Sequence, residues 1–149
     1  MHEFTSSSVL PCTAAQLREY LGRPANLPQI SDPDLELEVL SAPELVHVDA
    51  VIEFRISAYG FKQRMQHRLI HVSDLEIIAE QIEGPTRSWI HRQTIVSAAD
   101  STAGCTLTDH IQFETPGGML GYLMTPERIT ESLEQGMAFR YDALKEIFG

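Results

Sequence analysis

Apolar and polar residues alternate with a period of two over most of this chain, and with a helical period in only two places. Glu3 to Leu10 reads as a first strand ended by Pro11, after which Thr13-Ala14-Ala15-Gln16 supplies an N-cap and first turn of a helix running to about Leu21. Pro24 and Pro28, following Gly22, limit the next segment to a short turn that crosses back to the strands. From Asp34 onward the strand period takes over. Leu35, Leu37 and Val39 alternate with Glu36 and Glu38, and Ile52, Phe54, Ile56 and Ala58 alternate with Glu53, Arg55 and Ser57. Phe61 to Val72, Leu75 to Glu83, Arg87 to Val96 and Cys105 to Thr115 continue the pattern, with short turns at Ser73-Asp74, Gly84-Pro85 and Ala99 to Gly104. Strands joined by such short links form an antiparallel meander.

After Pro116 the period becomes helical. Thr125-Pro126-Glu127 provides a cap, a proline suited to the first turn and an acid at the positive helix end. Ile129, Leu133, Met137, Tyr141, Leu144 and Phe148 then fall at spacings of three and four and form one apolar stripe that must cover a surface. One strand, two short helical segments, six strands and a long terminal helix predict an α+β helix-grip fold. In it a curved seven-stranded antiparallel sheet wraps around the C-terminal helix and leaves a cavity between them. A cone-shaped fold of the nuclear-transport-factor type is the architectural alternative, but it would normally start with helices and lacks the long terminal one.

Composition narrows the function classes. A length of 149 residues suits one domain spanning 1–149. Eleven basic against 21 acidic residues give a net charge of -10, which argues against nucleic acid and against anionic lipid headgroups. No apolar run is long enough to span a bilayer, and Met1-His2-Glu3-Phe4 does not begin a secretory signal, so a cytoplasmic location is expected. Cys12 and Cys105 are expected as free thiols, even though pairing of the first and last strands brings their chain positions together.

The candidate chemistry lies between Ala79 and Tyr141. Trp89, His91 and Gln93 share one strand face, and Leu107, Asp109, Ile111 and Phe113 share one face of the next. If the hairpin turns near Asp100-Ser101, Asp109 lies across from His91 or Gln93, and a buried carboxylate needs such a partner. This His91/Asp109 pair is either an acid-base dyad acting on a bound carbonyl compound or a self-satisfied pair that orients ligand. Trp89 offers a stacking surface or is simply core; Gln81 reaches ligand or bonds the backbone at the Gly84-Pro85 kink. Arg140 and Tyr141 adjoin the apolar stripe, where one of them is expected at the cavity mouth. Arg140 there holds a carboxylate, neutralises Asp109 or makes a surface ion pair. Gly136 in the helix interior leaves room above the pocket. The apolar segment from Met119 to Met124, with Met119, Leu120 and Tyr122 in front, is a lid, a dimer contact or a packed turn. His67 and His71, four apart on a strand, are separated by roughly 13 Å and make no metal pair, so neither metal nor cofactor is expected.

These residues resemble the START-like (SRPBCC) superfamily of pollen-allergen-like proteins, lipid-transfer domains and polyketide cyclases. Within it the pattern is similar to a small bacterial subgroup, some of whose members are fused to epimerase-like proteins labelled as cell-division inhibitors. The matching run is Ala79-Glu80-Gln81, Gly84-Pro85, Trp89-Ile90-His91-Arg92-Gln93, Asp109, Pro116-Gly117-Gly118 and Met137-Ala138-Phe139-Arg140-Tyr141, with the Arg23-Pro24 turn upstream. Ala79, Gln93 and Tyr141 depart from it, standing where the subgroup has Asp, a second His and His. The resemblance implies a cavity for a small hydrophobic or amphipathic molecule, lipid-like or polycyclic, in a monomer or homodimer without membrane insertion. Gln81, Trp89, His91, Gln93, Asp109, Phe113, Met137, Arg140 and Tyr141 are the candidate ligand residues. The alternatives are a cyclase or dehydratase using His91 and Asp109, and an interaction domain whose cavity is filled by its own side chains.

Overall fold

The computed structural model describes residues 1–98 and 104–149; the expected turn around Asp100-Ser101 lies outside the described residues. Strand β1 (His2–Leu10) is followed by helix α1 (Ala14–Leu21), 3-10 turns at Pro24–Ile30 and Pro33–Leu35, and strands β2 (Glu38–Ser41), β3 (Val51–Ala58), β4 (Phe61–Val72), β5 (Glu76–Glu83), β6 (Ser88–Ser97) and β7 (Cys105–Glu114). Helix α2 (Leu120–Leu123) and the long helix α3 (Pro126–Phe148) complete the chain. The strands form one antiparallel sheet in the order β1-β7-β6-β5-β4-β3-β2, a meander closed at one side by the first strand.

Local sequence explains most of the boundaries. Thr13 and Gln16 form a capping box: the Gln16 amide donates to Thr13 Oγ1 at 3.1 Å and the Thr13 amide to Gln16 Oε1 at 2.8 Å. Thr125 caps α3 by accepting from the Arg128 amide at 3.2 Å, and Pro126 takes the first helical position. The alternation beginning at Leu35 makes a shorter strand than its pattern suggests. Pro33 starts a 3-10 turn, and Glu36 sits in the left-handed region at φ 49°, so pairing begins only at Glu38. The Met119 to Met124 segment, expected as an apolar loop, contains the single turn of α2.

Helix α3 lies over the sheet by its apolar stripe. Ile129, Met137, Tyr141 and Leu144 are buried, and Leu133 and Phe148 pack against the same cluster, which includes Phe4, Leu10, Ile95, Leu107, Ile111 and Phe113 from the sheet. Each fully buried aliphatic side chain of that size contributes roughly 1.5–3 kcal/mol, enough for this stripe to seat the helix. A second cluster, Ala50, Ile52, Leu69 and Ile77 with Leu21 and Leu27 against it, packs the α1 and 3-10 region onto the other half of the sheet. Leu10 pairs with Cys105 in the β1–β7 register, which brings the Cys12 and Cys105 sulfurs to 3.9 Å as free thiols. Burial, then the neighbouring Cys105, pushes the Cys12 thiol up to about 12, so it stays protonated and unreactive. No helix among the described residues is long and apolar enough to cross a membrane.

Candidate functional site: a cavity between sheet and helix

Between the sheet and α3 lies a cavity of about 300 Å³. Its walls are mainly aliphatic, drawn from the Leu21 to Leu37 region, the inward faces of β3 to β6 and the Ile129 to Arg140 part of α3. Six of the candidate ligand residues line it: Gln81, Trp89, His91, Gln93, Met137 and Arg140. They converge because alternate residues of neighbouring strands share one sheet face, with Ala79 opposite His91 and Ile77 opposite Gln93.

The other three stand elsewhere. Asp109 is fully buried on β7, opposite Gln93 in register, and its side chain reaches diagonally to His91, whose Nε2 lies 2.7 Å from Oδ1. The Tyr141 hydroxyl donates to Asp109 Oδ2 at 2.8 Å and lies 2.7 Å from Ser6 Oγ. Asp109 and Tyr141 therefore sit behind the cavity wall, as a polar layer between β7 and α3. Phe113, also fully buried, is not part of the lining but packs behind it on Trp89, ring centroids 5.8 Å apart. Of the pair on the terminal helix it is thus Arg140 that reaches the cavity, while Tyr141 is locked into the core.

Electrostatics within this layer follow from its geometry. Burial alone would raise the Asp109 carboxyl, but the hydrogen bond and charge of His91, the nearby Arg140 guanidinium and the Tyr141 hydroxyl together hold it below its ordinary value. An ionised Asp109 only accepts hydrogen bonds, so His91 Nε2 carries the proton that points at Oδ1. Burial, then the adjacent Asp109 carboxylate, pushes the Tyr141 phenol up, which keeps it a donor.

Gln81 is anchored rather than free. Its Nε2 donates to the Thr86 carbonyl at 2.7 Å and its Oε1 accepts from Thr86 Oγ1 at 3.0 Å. Gly84 allows this, because a Cβ there would fall on the Gln81 amide. The segment in front of α3 meets the cavity through Met124, which is buried, and not through the three residues expected to form a lid. Met119 and Tyr122 are 87% and 86% exposed, and Leu120 packs on the core cluster, because the α2 turn directs the first two outward.

Among the polar residues of the lining that lie outside the Ala79 to Tyr141 run, two come from the sheet face itself. Gln63 and His67 lie on β4 and face the cavity beside Met65 and Leu69. The signal was present: odd positions from Gln63 to Leu69 alternate with Arg64, Gln66 and Arg68, so the polar pair falls on the apolar face. His71 instead lies beside Glu76, 3.6 Å from its carboxylate.

Among solved structures the chain is similar to ginseng major latex-like protein 151 from Panax ginseng, with a TM-score of 0.68 and 12% identity over 96% of this chain and 97% of that one. It is similar to Ara h 8.0201 at a TM-score of 0.69 and 13% identity, over 99% and 97% of the two chains. A START superfamily protein from Mycobacterium smegmatis superposes at a TM-score of 0.65 and 10% identity, over 99% and 97%. No family model and no curated protein matches the sequence. A likeness this complete at such low identity is one of architecture: the chain has the helix-grip fold of the START-like proteins.

Proposed function

We propose that the chain is a single ligand-binding domain that holds a small hydrophobic or amphipathic molecule, lipid-like or polycyclic, between its sheet and α3. The observation that carries this reading is the cavity of about 300 Å³, at the small end of ligand sites, lined by aliphatic side chains with a few convergent polar groups. Trp89, Met137 and the aliphatic walls would bury the ligand's apolar body, while His91, Gln93 and Arg140 orient it. A cytoplasmic protein, monomeric or homodimeric, that takes its ligand from solution fits the net charge of -10. Native mass spectrometry of gently purified protein, followed by denaturation, tests the proposal. A stoichiometric adduct of apolar or amphipathic character is expected; a bare chain that also fails to take up apolar probes would overturn it.

The second reading, an enzyme of the polyketide cyclase kind, draws on the His91–Asp109 pair at the cavity wall. A carboxylate hydrogen-bonded to one ring nitrogen fixes the imidazole's tautomer and orientation, as an acid-base dyad requires. In that case His91→Ala abolishes turnover of a bound carbonyl compound, whereas in the binding reading it only weakens retention.

A further inference from the structure

Within the cavity, the polar atoms divide into those with a protein partner and those without. Gln63 Oε1 and His67 Nε2 are buried and have no hydrogen-bond partner among the described residues. Gln63 is 5% exposed, and its amide orientation follows from its neighbour: Nε2 donates to the Ala58 carbonyl at 3.0 Å, so the remaining atom is an acceptor. The His67 ring stands edge-on to Phe54, centroids 4.9 Å apart, which fixes its plane against the cavity wall. Burial, then the nearby His91, lowers the His67 imidazole to about 4, so it is neutral near pH 7 and able to donate or accept. An unpaired buried polar atom costs free energy, and two of them on one strand face, both lining a cavity, are offset when what enters the cavity pairs with them.

Building on the ligand-binding reading, we propose that Gln63 and His67 are specificity residues for an uncharged ligand carrying O–H or N–H donors along an apolar body. Gln63 Oε1 accepts one donor, and His67 Nε2 pairs with a second hydroxyl in whichever tautomer that group demands. The two residues are four apart on one face of β4, a span of roughly 13 Å, so the ligand is an elongated body with polar groups towards both ends. A ligand with an anionic end at Gln63 is disfavoured because a carboxylate meets an acceptor there.

Three rigid rods separate the possibilities: 4,4′-dihydroxystilbene, its dimethyl ether and stilbene-4,4′-dicarboxylate, titrated by their own fluorescence into the full chain. The diol is expected to bind at least about ten-fold more tightly than the ether, the ratio that one satisfied hydrogen bond between otherwise equal ligands supplies. Gln63→Met and His67→Phe, which keep side-chain size and the stack on Phe54, should bring that ratio to within about two-fold. Equal binding of diol and ether by the unaltered protein overturns this proposal and leaves the binding reading standing. Tighter binding of the dicarboxylate also overturns it and points to Arg140 as the anchor. Failure of every rod, together with a bare chain in native mass spectrometry, overturns both.

Discussion

On one side of the cavity Asp109 is met by His91 at 2.7 Å and by Tyr141 at 2.8 Å, and Tyr141 in turn meets Ser6. On the other, Gln63 Oε1 and His67 Nε2 have no hydrogen-bond partner among the described residues. Both regions put amide, imidazole or carboxyl groups on the inward face of the same sheet. The difference is what each was joined to: β7 runs under α3, which delivers Tyr141 to Asp109, while the β4 positions open into the space that α3 bridges. Saturated polar groups hold the fold together, and unsaturated ones on a cavity wall are available to a ligand.

The sharpest way to break this comparison is to remove a partner from the saturated side. His91→Leu leaves the Asp109 carboxylate buried with Tyr141 alone, and a broken buried pair costs about 3–5 kcal/mol. Urea unfolding should show that loss; a loss under 1 kcal/mol would mean that the layer is not structural.

Acid comes next. The His67 imidazole has a folded value of about 4 against 6.5 when unfolded, so between these the unfolded chain binds the proton first and stability falls as pH drops from 6.5 toward 4. Full protonation corresponds to a loss on the order of 3 kcal/mol. The lowered Asp109 carboxyl acts in the same direction further into acid, its contribution present above its unfolded value of 3.8 and lost below it. His67→Phe should remove the first phase and leave the second, as pH-dependent melting curves would reveal. An unchanged first phase would assign it to another group.

The smallest effect sharpens the comparison rather than breaking it. Gly136 lines the cavity from α3, and a Cβ built on it meets nothing within 4 Å. Gly136→Leu should gain about 1 kcal/mol from helix propensity while filling cavity space. A raised melting temperature with weaker uptake of apolar probes is the expected pair of results, and unaltered uptake would place the ligand away from α3.

How much was legible beforehand depends on the range of the interaction. Strand alternation, the Thr13 and Thr125 caps and the α3 stripe from Ile129 to Phe148 are local patterns, and six of the seven strands emerge close to their expected bounds. The exception, β2, was misjudged because Glu36 adopts a left-handed conformation that alternation does not register. In the site, the proximity of His91 and Asp109 followed from hairpin register alone. Tyr141 and Phe113 were expected at the ligand because each lies on an inward face, but an inward face serves both cavity and core, and only packing depth separates them.

By itself, then, the sequence determined which residues point inward, where helices begin and that a long apolar helix must cover a strand meander. These depend on backbone period and capping, which act over a few residues. The tertiary structure alone decided which inward polar atoms found partners. Asp109 and Tyr141 are 32 residues apart and Ser6 and Tyr141 are 135 apart, so their bonds exist only once α3 settles on β1 and β7. Gln63 and His67 keep free atoms because β4 lies three positions from β7 in the sheet order, away from that helix-covered layer, with its inward face on the cavity.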